Sequence, residues 1–206
     1  MCPQPENSDG SLSPNRSRPT AEEHAEYSGE ERFLLLRLAH QSIWRCLTGE
    51  RVAAESPTAH LAEPRGAFTT LYVHGELRGC VGFVYPVGSL HQTIVETACA
   101  AAFEDSRFSP LTKEEFPHLS VSISVISPLQ PIRAEDVEVG RHGLLISSFG
   151  SRGLLLPQVP VEHGWDRETF LAQTCRKAGL PEDAWTGDVT LEAFTAEVFA
   201  DLGAQE

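Results

Sequence analysis

Basic residues are scarce in this chain: 16 lysines and arginines face 29 aspartates and glutamates among 206 residues, a formal net charge of −13. Contact with a phosphate backbone or an anionic lipid surface needs clustered cations, so nucleic acid and membrane are excluded as partners. Long apolar runs are missing as well. No stretch approaches the roughly 20 residues of a membrane span, and the N-terminus lacks the basic-then-apolar order of a secretory signal. The five cysteines, Cys2, Cys46, Cys80, Cys99 and Cys175, are odd in number and include no CxxC pair. That speaks against a disulfide framework and a structural zinc site, and it fits a reducing, cytoplasmic setting. No GxGxxG, Walker loop, CxxxCxxC or HExxH run is present, so the cofactor is unknown and no metal site is expected. No internal repeat is visible.

What remains is a length suited to one substantial core, or one domain with two lobes. Residues 1–25 carry Pro3, Pro5, Pro14 and Pro19 among serines and charges, with Leu12 almost the only large apolar side chain. Such a segment cannot offset its own ordering entropy and is expected to be a flexible tail. Ser28 with Glu31, and Ser89 with Gln92, have the spacing of capping boxes. The first should start a helix with Leu36, Ala39, Ile43 and Leu47 on its apolar stripe, ending near Gly49. The second should start one running to Phe103 with Leu90, Ile94, Ala98 and Ala101 inward, and Cys99 beside that stripe in the core.

Strands are expected at Phe68–Val73 and across the cysteine segment, joined by a turn at His74-Gly75, and at Leu119–Val125, where aliphatic residues and serines alternate without a break. Pro128 and Pro131 suggest a boundary between lobes. Beyond them, His142–Ser148 and Gly153–Leu156 flank Phe149-Gly150-Ser151-Arg152 as a second hairpin. Asp166 is placed to cap a helix bearing Phe170, Leu171, Cys175 and Ala178 that stops at Gly179. Val189–Phe199 alternates weakly and is read as a strand. Strand pairs separated by single helices give an α+β class. The division expected is a larger lobe over about 26–130 plus 186–201, and a smaller lobe of antiparallel strands over about 131–185.

Leu77-Arg78-Gly79-Cys80-Val81-Gly82 is the segment richest in chemistry. In an unbroken strand Leu77, Gly79, Val81 and Phe83 share one face and Arg78, Cys80 and Gly82 the other, which sets Arg78 and Cys80 roughly 7 Å apart. A cation at that range favours the thiolate, and Gly79 and Gly82 let a ligand or another backbone come close. Cys80 is the candidate nucleophile, with glycine N–H groups as donors to a developing oxyanion, set against a buried thiol acting as a small hydrophobe. Arg78 would hold the thiolate or an anionic substrate, or else pair with a carboxylate such as Glu76 or Glu162. His142, at a strand start beside Gly143, is the candidate acid/base, set against a turn histidine bonded to backbone. Gln158 in a loop between prolines, Glu162 and Arg107 complete the substrate-binding candidates; for Arg107 a cation at a helix C-terminus is the plainer reading.

Four motifs in fixed order resemble the AMMECR domain family over about Tyr27 to Phe199: the Leu77–Gly82 segment, Arg107-Phe108, Gly140-Arg141-His142-Gly143-Leu144, and Leu156-Pro157-Gln158-Val159-Pro160 continuing into Glu162 and Gly164-Trp165. The resemblance implies a two-lobed α+β fold with the motif residues gathered in a cleft between the lobes. It also implies association with Memo-family and radical S-adenosylmethionine proteins, encoded nearby or fused, which is analogy and not mechanism. The function expected is group transfer or modification by Cys80 in that cleft. The alternative is a non-catalytic module that binds a peptide, a small molecule or such a partner.

Overall fold

Ser28 starts the first helix through a reciprocal cap: its hydroxyl accepts the Glu31 N–H, and the Glu31 carboxylate accepts the Ser28 N–H. The computed structural model describes residues 25–50 and 57–201, so the expected tail up to residue 24 and the connection at 51–56 lie outside the described residues. α1 (Gly29–Thr48) buries Leu35, Ala39 and Ile43 and ends at Gly49, whose φ of 75° closes the last turn. β1 (Gly66–Val73) and β2 (Glu76–Phe83) form the expected hairpin. The second cap then starts α2 (Leu90–Phe103), which buries Leu90, Ile94, Ala98 and Ala101.

The chain continues through β3 (Leu119–Ile126), the short β4 (Gln130–Pro131), and the hairpin of β5 (Gly143–Ser148) and β6 (Ser151–Leu155). α3 (Gln158–Glu162), α4 (Arg167–Lys177), β7 (Thr190–Phe194) and β8 (Ala196–Ala200) complete it. The class is α+β, with two antiparallel four-stranded sheets ordered β2-β1-β3-β8 and β4-β7-β5-β6. α1 and α2 cover one face of the first sheet, burying Ala67, Leu71, Val121 and Ile123. The second sheet packs Leu144 and Ala193 with Phe170 and Leu171 of α4, and Ile146 with Cys175 and Ala178. No helix among the described residues is long and apolar enough to cross a membrane.

Four expectations need correction. Val189–Phe199 is not one strand but two in different sheets, because the chain crosses between them at Thr195, where two hydrogen bonds with Ser127 pin the crossing. Gln158 sits in α3 and not in a loop, since proline tolerates the first turn of a helix. The second hairpin turns at Phe149-Gly150, with φ of 46° and 88°. Cys46 and Cys99 are joined in a disulfide between α1 and α2, with Cα atoms 6.7 Å apart, so Cys99 is not a core thiol and the cysteines are not all free. Their 53-residue separation hides the pairing from local reading.

Candidate functional site

The face of the first sheet turned away from α1 and α2 carries the expected cysteine. Strand register places Cys80, Thr70 and Ser122 in one row across β2, β1 and β3, with Tyr72 and Ser120 in the row beside it. Alternation along the strands therefore lines this face with hydroxyls while the aliphatic residues face the helices. Cys80 is a free, half-buried thiol, and the Thr70 hydroxyl donates to its sulfur at 3.3 Å. The serines of β3 were expected to face solvent or a polar layer. They form the floor of this patch.

Because β2 is the sheet edge, Cys80 can turn its N–H away from β1, and it donates to Asp105 Oδ2 at 2.9 Å. Asp105 follows Glu104, the residue that caps the end of α2. Its carboxylate also accepts from Arg107, at 3.2 Å from the backbone N–H, 2.9 Å from Nε and 2.7 Å from Nη2. Only 7% of the Asp105 side chain is exposed, against 57% for Arg107. The Arg107 guanidinium holds the Asp105 carboxyl far below the usual carboxylate range, aided by the Cys80 N–H and opposed by burial. Arg107 is raised in turn, chiefly by that hydrogen bond, with a smaller contribution from the field of Cys80. The Tyr72 phenol is pushed up first by burial, then by the fields of Cys80 and of Glu162. Glu162 is exposed at the end of α3.

Arg78 does not serve Cys80 as the sequence suggested. A bulge at Arg78, where Leu71 pairs with Gly79 but Tyr72 pairs with Leu77, breaks the strict alternation that would put both on one face. The guanidinium instead donates to Glu115 at 2.8 and 3.2 Å and to the carbonyls of Ser109 and Pro110 at 2.7 and 3.2 Å. It ties the loop before β3 to β2, and neither Glu76 nor Glu162 is its partner. Arg107 and the Cys80 backbone N–H instead share the Asp105 carboxylate.

The glycines also serve packing. A Cβ on Gly79 would collide with the Ala101 carbonyl of α2, and one on Gly82 with the Phe68 ring. His142 Nδ1 accepts the Glu138 N–H at 3.1 Å while its own N–H donates to Glu138 O at 3.0 Å, which leaves the proton of a neutral ring on Nε2. No hydrogen bond joins His142 to Cys80 among the described residues. The Cys80 N–H, taken by Asp105, is not a free oxyanion donor. Cys80, His142, Glu162 and His163 are ligand types, but among the described residues no three His, Cys, Asp or Glu side chains form a metal-holding group. Thr70, Tyr72 and Asp105 were missed. Alternation could have found Thr70 and Tyr72, and the Asp-x-Arg spacing at 105 and 107 hinted at the carboxylate pair.

The family model described as AMMECR1 matches residues 36–199. Protein MK0488 of Methanopyrus kandleri is 41% identical over 184 residues, spanning 84% of this chain and 89% of that protein. Protein MJ0810 of Methanocaldococcus jannaschii is 40% identical over 183 residues, with coverage of 84% and 91%. Among solved structures, the crystal structure of uncharacterized protein PH0010 from Pyrococcus horikoshii is similar with a TM-score of 0.78 at 39% identity, covering 84% of this chain and 93% of that one.

Proposed function

Since the chain belongs to the AMMECR1 family, we propose that the hydroxyl-lined face around Cys80 is its working site, part of a cleft between the two sheets, and that Cys80 acts there as a nucleophile in group transfer. One observation carries this proposal: the Cys80 thiol is free and half-buried, and the Thr70 hydroxyl donates to its sulfur. In the reaction, the Cys80 sulfur forms a bond to the electrophilic carbon of an acyl or comparable group. The leaving group departs with the bonding pair and takes up the thiol proton. A second nucleophile then displaces the sulfur and returns the thiol. His142 would move protons through Nε2, because Nδ1 is engaged. A cytoplasmic setting, with Memo-family or radical S-adenosylmethionine proteins as suppliers or receivers of the group, belongs to the same proposal.

The test is intact-mass measurement after incubation with cell extract. An adduct mapped to Cys80 and absent from Cys80→Ala supports the reaction. Absence of any adduct, or one that persists in the variant, contradicts it.

A second reading is favoured by specific contacts: Arg78 and Nδ1 of His142 are committed to the fold, and Asp105 occupies the Cys80 N–H. These support a module that binds a peptide, a small molecule or a partner without turning it over. Co-purification of a partner that survives Cys80→Ala would favour it over catalysis.

A further inference from the structure

The sulfurs of Cys46 and Cys99 lie near the C-terminal ends of α1 and α2. Cys80 faces the opposite side of the first sheet, so this pair is separate from the candidate site. Cys46 is exposed and Cys99 is half-buried, so an incoming thiol meets one sulfur far more readily than the other. The Ser42 carbonyl oxygen lies 3.4 Å from Cys99 Sγ, an acceptor already in place for the thiol proton once the bond opens. The two helices are held without the bond: Leu35, Ala39, Ile43, Leu90, Ile94 and Ala98 are all fully buried.

From these observations we infer that Cys46–Cys99 is a reversible redox pair, opened and closed by external thiols and disulfides while the fold stays intact, with Cys46 as the sulfur attacked. An external dithiol, as its thiolate, attacks Cys46 Sγ. A mixed disulfide forms and the Cys99 thiolate leaves, taking up a proton and meeting the Ser42 carbonyl. The second thiol of the reagent then attacks its own bound sulfur, releasing Cys46 as a thiol and closing the reagent to a cyclic disulfide. Two electrons pass from reagent to protein. Glutathione disulfide reverses the change by accepting them.

The experiment is alkylation mapping by peptide mass spectrometry on the folded full-length protein. In protein purified without reductant, Cys46 and Cys99 are expected to resist iodoacetamide. After mild dithiothreitol both should label, with the far-UV circular dichroism unchanged, and glutathione disulfide should restore protection. The asymmetry is read from single variants given glutathione disulfide: the Cys46 thiol of Cys99→Ser should displace glutathione thiolate and become glutathionylated severalfold faster than the Cys99 thiol of Cys46→Ser. The inference is overturned if both cysteines label without reductant, if the bond opens only on denaturation, or if the two variants react at equal or reversed rates. Should a variant fail to fold, the wild-type mapping decides alone.

Discussion

Asp105→Ala removes the acceptor that fixes the cysteine strand. The carboxylate receives the Cys80 N–H and three N–H groups of Arg107 while its side chain is almost wholly buried. Truncation leaves the Cys80 N–H at a covered sheet edge without a partner, a cost of about 1–3 kcal/mol. The Arg107 contact adds about 0–1 kcal/mol, because that guanidinium is mostly exposed and water screens it. A loss near the middle of this range, ~2.5 kcal/mol, lowers the thermal midpoint by roughly 5–10 °C for a domain of this size. Its pH dependence follows from the depressed carboxyl. A group whose folded value lies below its unfolded value stabilises fully above the unfolded value, about 3.9 for aspartate, and ceases to do so as pH falls through the folded value. The gap between wild type and variant should therefore be wide at neutral pH and shrink in strong acid. Urea denaturation followed by tryptophan fluorescence at several pH values measures it. A variant as stable as wild type at neutral pH, or a gap that persists undiminished in strong acid, would refute the reasoning.

Arg78→Gln should lose about 1–3 kcal/mol of stability through its contacts with Glu115, Ser109 and Pro110. It should leave the rate of Cys80 alkylation near that of wild type, and a collapse of that rate would restore Arg78 as the partner of the thiol. Gly79→Ala should destabilise by about 1–3 kcal/mol, read from urea midpoints, because the added methyl collides with the Ala101 carbonyl of α2. Phe149 holds a left-handed φ with its side chain fully exposed, so Phe149→Gly should raise stability by about 1 kcal/mol in thermal scans. A fall would mean that the ring contributes packing.

Local chemistry was legible in the sequence. Ser28 with Glu31 and Ser89 with Gln92 act over three residues, and both caps form. The alternation of Leu119–Val125 likewise made its strand readable, because a strand's two faces follow directly from its period. What escaped depends on distant parts of the chain. Arg78 finds Glu115 from 37 residues away and Cys80 finds Asp105 from 25, and no local pattern encodes either meeting. The bulge at Arg78 is set by its pairing with β1, so reading β2 by itself put Arg78 on the wrong face. Thr195 shows no break in hydrophobic pattern, yet the chain passes there from one sheet to the other. The family motifs pointed to Cys80 and Arg107, but that the Cys80 N–H and the Arg107 guanidinium meet on Asp105 required the fold.

The central claim, that Cys80 is an accessible and reactive thiol, is tested most directly by its iodoacetamide labelling rate in the folded protein, measured beside Cys175 by peptide mapping. Cys175 is a fully buried residue of α4, packed with Ile146, and burial pushes its thiol up, so it should label only on unfolding. Cys80 should label well ahead of it under native conditions. If Cys80 stays unlabelled until the protein unfolds, in step with Cys175, the thiol is a packing group and the proposed chemistry fails.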